Sequence, residues 1–192
     1  MSFKAYFIRH LIACLILLGG MITFPSMSYA DELKEIRIRA GLELFTSILA
    51  ADQQLTTKKD FNNTLNILII HRNNKRLAEK MAVVLMKQKT IRGTKINIYT
   101  APLKKLNTFK GKKIAGIFIT QRLQDDLGKI IQLGKEKRAI AFSPFPDDVE
   151  NGVSSGFIIT DVISPYLNLK SLRDASININ PYFLKVAELY EN

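Results

Sequence analysis

Leu65-Asn66-Ile67-Leu68-Ile69-Ile70 is the stretch that decides the fold. It is apolar at every position but Asn66 and shows no alternation, as expected of a strand covered on both faces. Lys75 to Gln88 follows, with Leu77, Met81, Val84 and Leu85 at the i, i+4, i+7, i+8 spacing of a helix that turns one stripe to a core. Ile96 to Thr100 then reads as a short strand, and Lys113 to Thr120, KIAGIFIT, as a second buried one. Gln121 to Leu133 repeats the helical spacing through Leu123, Leu127, Ile130 and Ile131, with Gly134 as its stop. Ala139 to Ser143 is a further strand. Strands alternating with amphipathic helices predict an α/β fold, a single domain whose mainly parallel central sheet is flanked by helices.

Outward from this centre the pattern differs at each end. Before it, Glu32 to Ala51 reads as a helix with Leu33, Ile36, Ala40, Leu44 and Ile48 at helical spacing and Phe45 and Leu49 widening the stripe. After the turn-rich SPFPDDVENGVSSG come two adjacent strand-like runs, Phe157 to Thr160 and Val162 to Leu169. Lys170 to Asp174 reads as one helical turn and Ile177 to Asn180 as a short strand. Asn180-Pro181 opens a closing helix, because Asn caps free amides and Pro lacks the amide that would be orphaned. Phe183, Val186, Ala187 and Tyr190 would give that helix its buried face.

Residues 1–30 read as a cleavable secretory signal. Lys4 and Arg9 precede the apolar run Leu11 to Phe24, and small residues Ser28 and Ala30 precede Asp31. The apolar run is fourteen residues long and broken by Gly19 and Gly20, short of the roughly 20 that a spanning helix needs. Leu11-Ile12-Ala13-Cys14 has the look of a lipoprotein box, but most of the apolar region follows the cysteine rather than preceding it. Residues 31–192 are then the exported domain, with no cysteine, a single histidine (His71) and a net charge of +9. Disulfides, thiol catalysis and histidine-rich zinc sites are excluded. Outside the cytoplasm such a charge suits anionic lipid, an acidic partner or a phosphorylated ligand better than nucleic acid.

No GxGxxG, Walker loop, GxSxG or HExxH is present, so the sequence supplies no catalytic residue, metal set or cofactor. Gly111-Lys112-Lys113 resembles a fragment of a phosphate loop without its spacing or hydroxyl residue, and reads as a turn into the next strand. His71, Arg72, Asn73, Asn74 and Lys75 lie between the carboxyl end of a parallel strand and a helix, where α/β sheets bind anions. His71, Arg72, Asn73 and Lys75 are the candidate ligands there, against the alternative of a solvated connector. Asp147, Asp148 and Glu150 could bind a cation or share a proton, or form a polar turn.

Gly152 to Ala187, GVSSGFIITDVISPYLNLKSLRDASININPYFLKVA, resembles the C-terminal signature of the YfiR/HmsC-like family of small periplasmic proteins. The resemblance rests on a glycine-led strand at Gly156-Phe157, a second strand ending Asn168-Leu169, and a short helix through Leu172 and Ala175. An Ile177/Ile179 strand follows, with Leu184 and Ala187 in the closing helix. It implies a periplasmic repressor, acting as a homodimer, that binds the periplasmic portion of an inner-membrane diguanylate cyclase. It would thereby lower cyclic di-GMP and biofilm formation, without catalysis or cofactor and peripheral to the membrane at most. Asn168 and Arg173 are the polar members of the signature that could touch the partner. The Trp-Pro step common at the end of the family's first helix is missing between Phe45 and Leu55, and so are its cysteine pairs.

Overall fold

Seven consecutive residues, Leu65–His71, form β1, and every one of them is buried. The computed structural model describes residues 29–191. The signal read in residues 1–30, with Cys14, lies outside the described residues apart from Tyr29 and Ala30, which open helix α1 (Tyr29–Ala51). Contacts divide the chain after Leu33. Of the first unit only the opening of α1 is described. The second unit, from Lys34 onward, is an α/β domain built on an eight-stranded, mostly parallel sheet.

The strands are β1, β2 (Thr90–Ile91), β3 (Thr94–Pro102), β4 (Gly116–Ile119), β5 (Ile140–Phe142), β6 (Ser155–Ile159), β7 (Ile163–Asn168) and β8 (Glu188–Tyr190). They run in the order β2-β3-β1-β4-β5-β6-β7-β8. The pairs β1–β3, β1–β4, β4–β5, β5–β6 and β7–β8 are parallel; β2–β3 and β6–β7 are antiparallel. Helix α2 (Lys75–Met86) joins β1 to the β2–β3 hairpin, and α3 (Leu127–Lys137) joins β4 to β5. These crossovers leave β1 and β4 in opposite directions, so right-handed connections put α2 and α3 on opposite faces of the sheet.

Helix α1 seats on the face that carries Phe118 and Phe142. Phe45 packs its ring 5.5 Å from Phe118 and 5.7 Å from Phe142, and those two stack at 5.4 Å. Gly116 permits the approach: a Cβ there would stand 2.7 Å from Phe45 Cζ and 2.8 Å from Leu49 Cδ2. Each fully buried side chain of this kind contributes about 1.5–3 kcal/mol. The buried stripe of α1 is Ile38, Leu42, Phe45, Ile48 and Leu49, whereas Leu33 and Ile36 are 48% and 58% exposed. The expected stripe was therefore out of phase in the first half of the helix, where a second apolar row shares the 3.6-residue period.

Three other expectations are corrected. Gly134 does not end α3. The helix begins later, after a 3₁₀ turn at Gln124–Asp126, and runs to Lys137, where Arg138 takes the left-handed conformation (φ 51°). The closing helix is a single turn, α5 (Pro181–Leu184), although Asn180 caps it as expected by accepting the Tyr182 amide at 2.9 Å. Beyond it β8 pairs with β7, leaving Val186 exposed. The strand expected at Ile177 to Asn180 is reduced to one bridge between Ile179 and Asp52. The expected turn at Lys170 to Asp174 is present as α4 (Leu169–Asp174). The β2–β3 hairpin, absent from the sequence reading, turns through Arg92 and Gly93, both at positive φ (48° and 75°).

Candidate functional site

The chain leaves β1 for β3 on one side and returns to β4 on the other, so the carboxyl ends of β1 and β4 flank the crevice where open α/β sheets bind ligands. Two loops meet there, residues 71–75 after β1 and 120–126 after β4. The candidate residues His71, Arg72, Asn73 and Lys75 lie in or next to the first of these loops, and the structure shows what each one does.

Arg72, Asn73 and Asn74 present three successive backbone amides, the arrangement that favours an anion. All three point at one atom of this same chain. Gln121 Oε1 accepts them at 2.9, 3.0 and 2.8 Å, while Gln121 Nε2 donates to Asn73 Oδ1 at 2.7 Å. The Arg72 guanidinium is also engaged: it donates to the Leu123 carbonyl and pairs with Asp126 Oδ2 at 2.8 Å. Lys129 bonds the other oxygen of Asp126 at 2.6 Å. That bond first, and then the charges of Lys129 and Arg72, hold the Asp126 carboxyl below the usual carboxylate range. Asn74 caps α2 by accepting the Leu77 amide at 3.0 Å.

His71 is buried at the end of β1, and its Nδ1 has no hydrogen-bond partner. Burial pushes its pKa down, opposed by Glu79 and aided by Lys75. Burial thus favours the neutral imidazole. Lys75 lies outside, pairing with Glu79 at 3.3 Å across one exposed helical turn. Gln121 was the residue that sequence reasoning missed. Its signal was positional, a long amide side chain just after a buried strand next to β1, and no motif marks it.

The acidic loop divides. Asp148 is buried and accepts the Ser143 hydroxyl at 2.5 Å; burial raises its pKa, against the pull of that bond and of Arg122. Asp147 sits at φ 69° and is exposed. Glu150 accepts from Tyr166, whose pKa is pushed up to about 12 by burial, then by this bond and the Glu150 charge. The three carboxylates thus face different surroundings, and no metal-ligating cluster forms among the described residues. Two arginines gather beside this loop unannounced by the sequence. Arg37 donates to the Pro144 carbonyl and lies 4.6 Å from the Phe157 ring centroid; Arg122 lies 5.7 Å from that of Phe145.

Asn168 and Arg173 are not alike. Asn168 is buried, accepting the Ser171 amide at 2.8 Å to cap α4 and donating to the Val149 carbonyl at 2.8 Å. Both its polar atoms are used within the chain. Arg173 is exposed on α4. The surface also carries an apolar group: Ile159, Val162 and Ile163, at the tip of the β6–β7 hairpin, are 53%, 66% and 49% exposed. No helix among the described residues is long and apolar enough to cross a membrane.

No family model matches the chain, and no curated protein matches it. Among solved structures it is similar to the ABC domain in complex with L-Trp from Streptococcus pneumonia. The two share 11% identity with a TM-score of 0.53, over 80% of this chain and 62% of that one. At that identity the likeness shows a shared fold.

Proposed function

We propose that this protein is a periplasmic regulator that represses an inner-membrane diguanylate cyclase by protein–protein contact, and so lowers cyclic di-GMP and biofilm formation. The observation that carries the reading is the β6–β7 hairpin tip. Ile159, Val162 and Ile163 lie outside the core on a segment whose base, Phe157 and Leu167, is buried. Clustered apolar side chains at a surface mark contact with another protein. Support comes also from the export signal, from the resemblance of Gly152 to Ala187 to the YfiR/HmsC-like signature, and from a crevice whose amides and arginine are engaged internally. The regulator acts as a homodimer, without catalytic residue or cofactor. It need only prefer one state of the cyclase, by roughly 1–3 kcal/mol.

The test is capture of the partner. The processed protein, immobilised, should retain a GGDEF-containing membrane protein from solubilised inner membranes, and gene deletion should raise cyclic di-GMP. Recovery of outer-membrane or wall components alone, with unchanged cyclic di-GMP, would sink the proposal.

A second reading, a periplasmic solute-binding protein for a small anionic ligand at His71, Arg72, Asn73 and Lys75, is favoured by the fold likeness to a domain bound to L-Trp. Against it stands Gln121, which takes the three amides such a ligand would need. A thermal-shift screen of amino acids and phosphorylated metabolites separates the two, since a bound ligand raises stability.

A further inference from the structure

The opposite end of the sheet is open. At the amino ends of β4 and β5, the loop at 110–114, the 3₁₀ turn Leu55–Lys58 and the last turn of α3 surround a cavity of 620 Å³. That lies within the roughly 300–1,000 Å³ of small-molecule sites. Lys58, Lys110, Lys112, Lys113, Lys137 and Arg138 line it against one carboxylate, Glu136. Glu136 is occupied with Gln132 Nε2 at 2.9 Å. A second depression of 400 Å³ shares Lys110 and Glu136 with the first and adds Lys104 and Lys129.

The cations differ in what holds them. Lys137 donates to the Lys110 carbonyl, Lys113 to the Thr57 carbonyl at 3.3 Å, and Lys112 lies 5.0 Å from the Tyr99 ring centroid. These contacts position charge without neutralising it. Among the described residues Lys58 is the one of these cations paired with a carboxylate, that of the fully buried Asp52. Lys110 and Arg138 make no ion pair among the described residues. Arg138 stands close enough to Lys58 for the two charges to repel, and adds to the burial that lowers the Lys58 pKa. It does so from a left-handed backbone conformation that usually belongs to glycine at a helix end.

Like charges gathered around one cavity repel each other until an anion enters. We infer that this cavity binds a compact ligand carrying two or more phosphate-type charges. Recognition is by side-chain charge, with Arg138 able to grip two oxygens at once. Gly111-Lys112-Lys113, the fragment of a phosphate loop seen in the sequence, forms part of the wall. A Cβ at Gly111 would meet nothing within 4 Å, so the loop offers its lysines to the ligand rather than a glycine-dependent cradle of amides. A soluble phosphorylated molecule and the headgroups of an anionic lipid share this chemistry.

The experiment titrates the purified protein calorimetrically with inorganic pyrophosphate. In parallel it measures sedimentation with phosphatidylcholine vesicles that contain or lack phosphatidylglycerol. Lys110→Glu/Arg138→Gln is compared with Lys95→Glu/Lys34→Gln, which removes the same charge from exposed positions elsewhere. Lys110→Gln alone, at an exposed side chain, guards against a misfolded double variant. Pyrophosphate should bind saturably, weakened about tenfold or more by the cavity variant and less than about twofold by the control. Vesicle binding with the same dependence, without pyrophosphate binding, would assign the site to lipid headgroups. Equal weakening by both variants, or no saturable binding in either arm, overturns the inference.

Discussion

Gln121 Oε1 lies 2.8 Å from the Asn74 amide nitrogen and reaches it from the loop after a neighbouring strand. With the Arg72 and Asn73 amides it completes a three-donor cradle around a neutral oxygen. Gln121→Ala returns these amides to water and should cost about 1–2 kcal/mol, read from urea unfolding. The emptied cradle should also gain an anion site, so sulfate should stabilise the variant more than it stabilises the parent protein. An equal response to sulfate would show that the cradle does not persist without Gln121.

Asn168→Ala removes a helix cap and one of two donors to the Val149 carbonyl, which keeps the Gly152 amide at 3.0 Å. The cap is worth about 1 kcal/mol and the lost hydrogen bond about 0.5–1.5 more. Asn168→Ser keeps a capping oxygen and brings in no charge while losing the long donor to Val149, so it should fall between. A loss under about 0.5 kcal/mol for the alanine variant would contradict the structural role.

Gly116→Ala tests the seat of α1. The added methyl would collide with Phe45 and Leu49, at an expected cost of about 1–3 kcal/mol. Adding Leu49→Ala should make the second substitution cheaper than it is alone, and strict additivity would argue against the contact.

Asp148 sets a pH dependence of definite sign. Burial raises its folded pKa above the unfolded value, so the folded state holds the proton more tightly. Its contribution to stability falls as pH rises from the ordinary carboxylate range through the raised value, and its cost is complete above that. Asp148→Asn can still accept from Ser143 and carries no charge. Its thermal midpoint should exceed the parent's at neutral pH, with the gap closing as pH falls through the folded pKa. A gap that widens on acidification would reverse the assignment.

Val162→Asp probes the hairpin tip. Val162 is exposed, so stability should change by no more than about 0.5 kcal/mol. Retention of the proposed membrane partner should be lost. Full retention would move the contact surface elsewhere.

The centre of the molecule was legible because its signals are local and redundant. LNILII reads as a covered strand by its length and lack of alternation, and the stripe Leu77, Met81, Leu85 had one core to face. Ambiguity entered where sequence offers two equal choices. On α1 the rows Leu33/Ile36/Ala40/Leu44 and Ile38/Leu42/Phe45/Leu49 share one period, and only packing on Phe118 and Phe142 selects the second. Gly134 looked like a stop, but a Cβ there would lie 3.2 Å from the Ala139 carbonyl oxygen, so its smallness serves packing while Arg138 ends the helix. The closing helix failed because β7 offered an unpaired edge, and Glu188–Tyr190 took it. Of the crevice, the basic loop could be read but its occupant could not: Gln121 is 50 residues distant from His71 in sequence and adjacent only once β1 and β4 are paired.

The bridge between Asp52 and Ile179 has a consequence in time. Gln53 donates to the Asn178 carbonyl at 2.9 Å and Asn180 to the Ala51 carbonyl at 2.9 Å, so the end of the first helix is clasped by a segment near the far end of the chain. Contacts at such separation form late. A chain emerging from its amino end could build β1 to β5 early. Its first helix could seat on Phe118 and Phe142 by then, with its carboxyl end latched only after residue 180 had arrived.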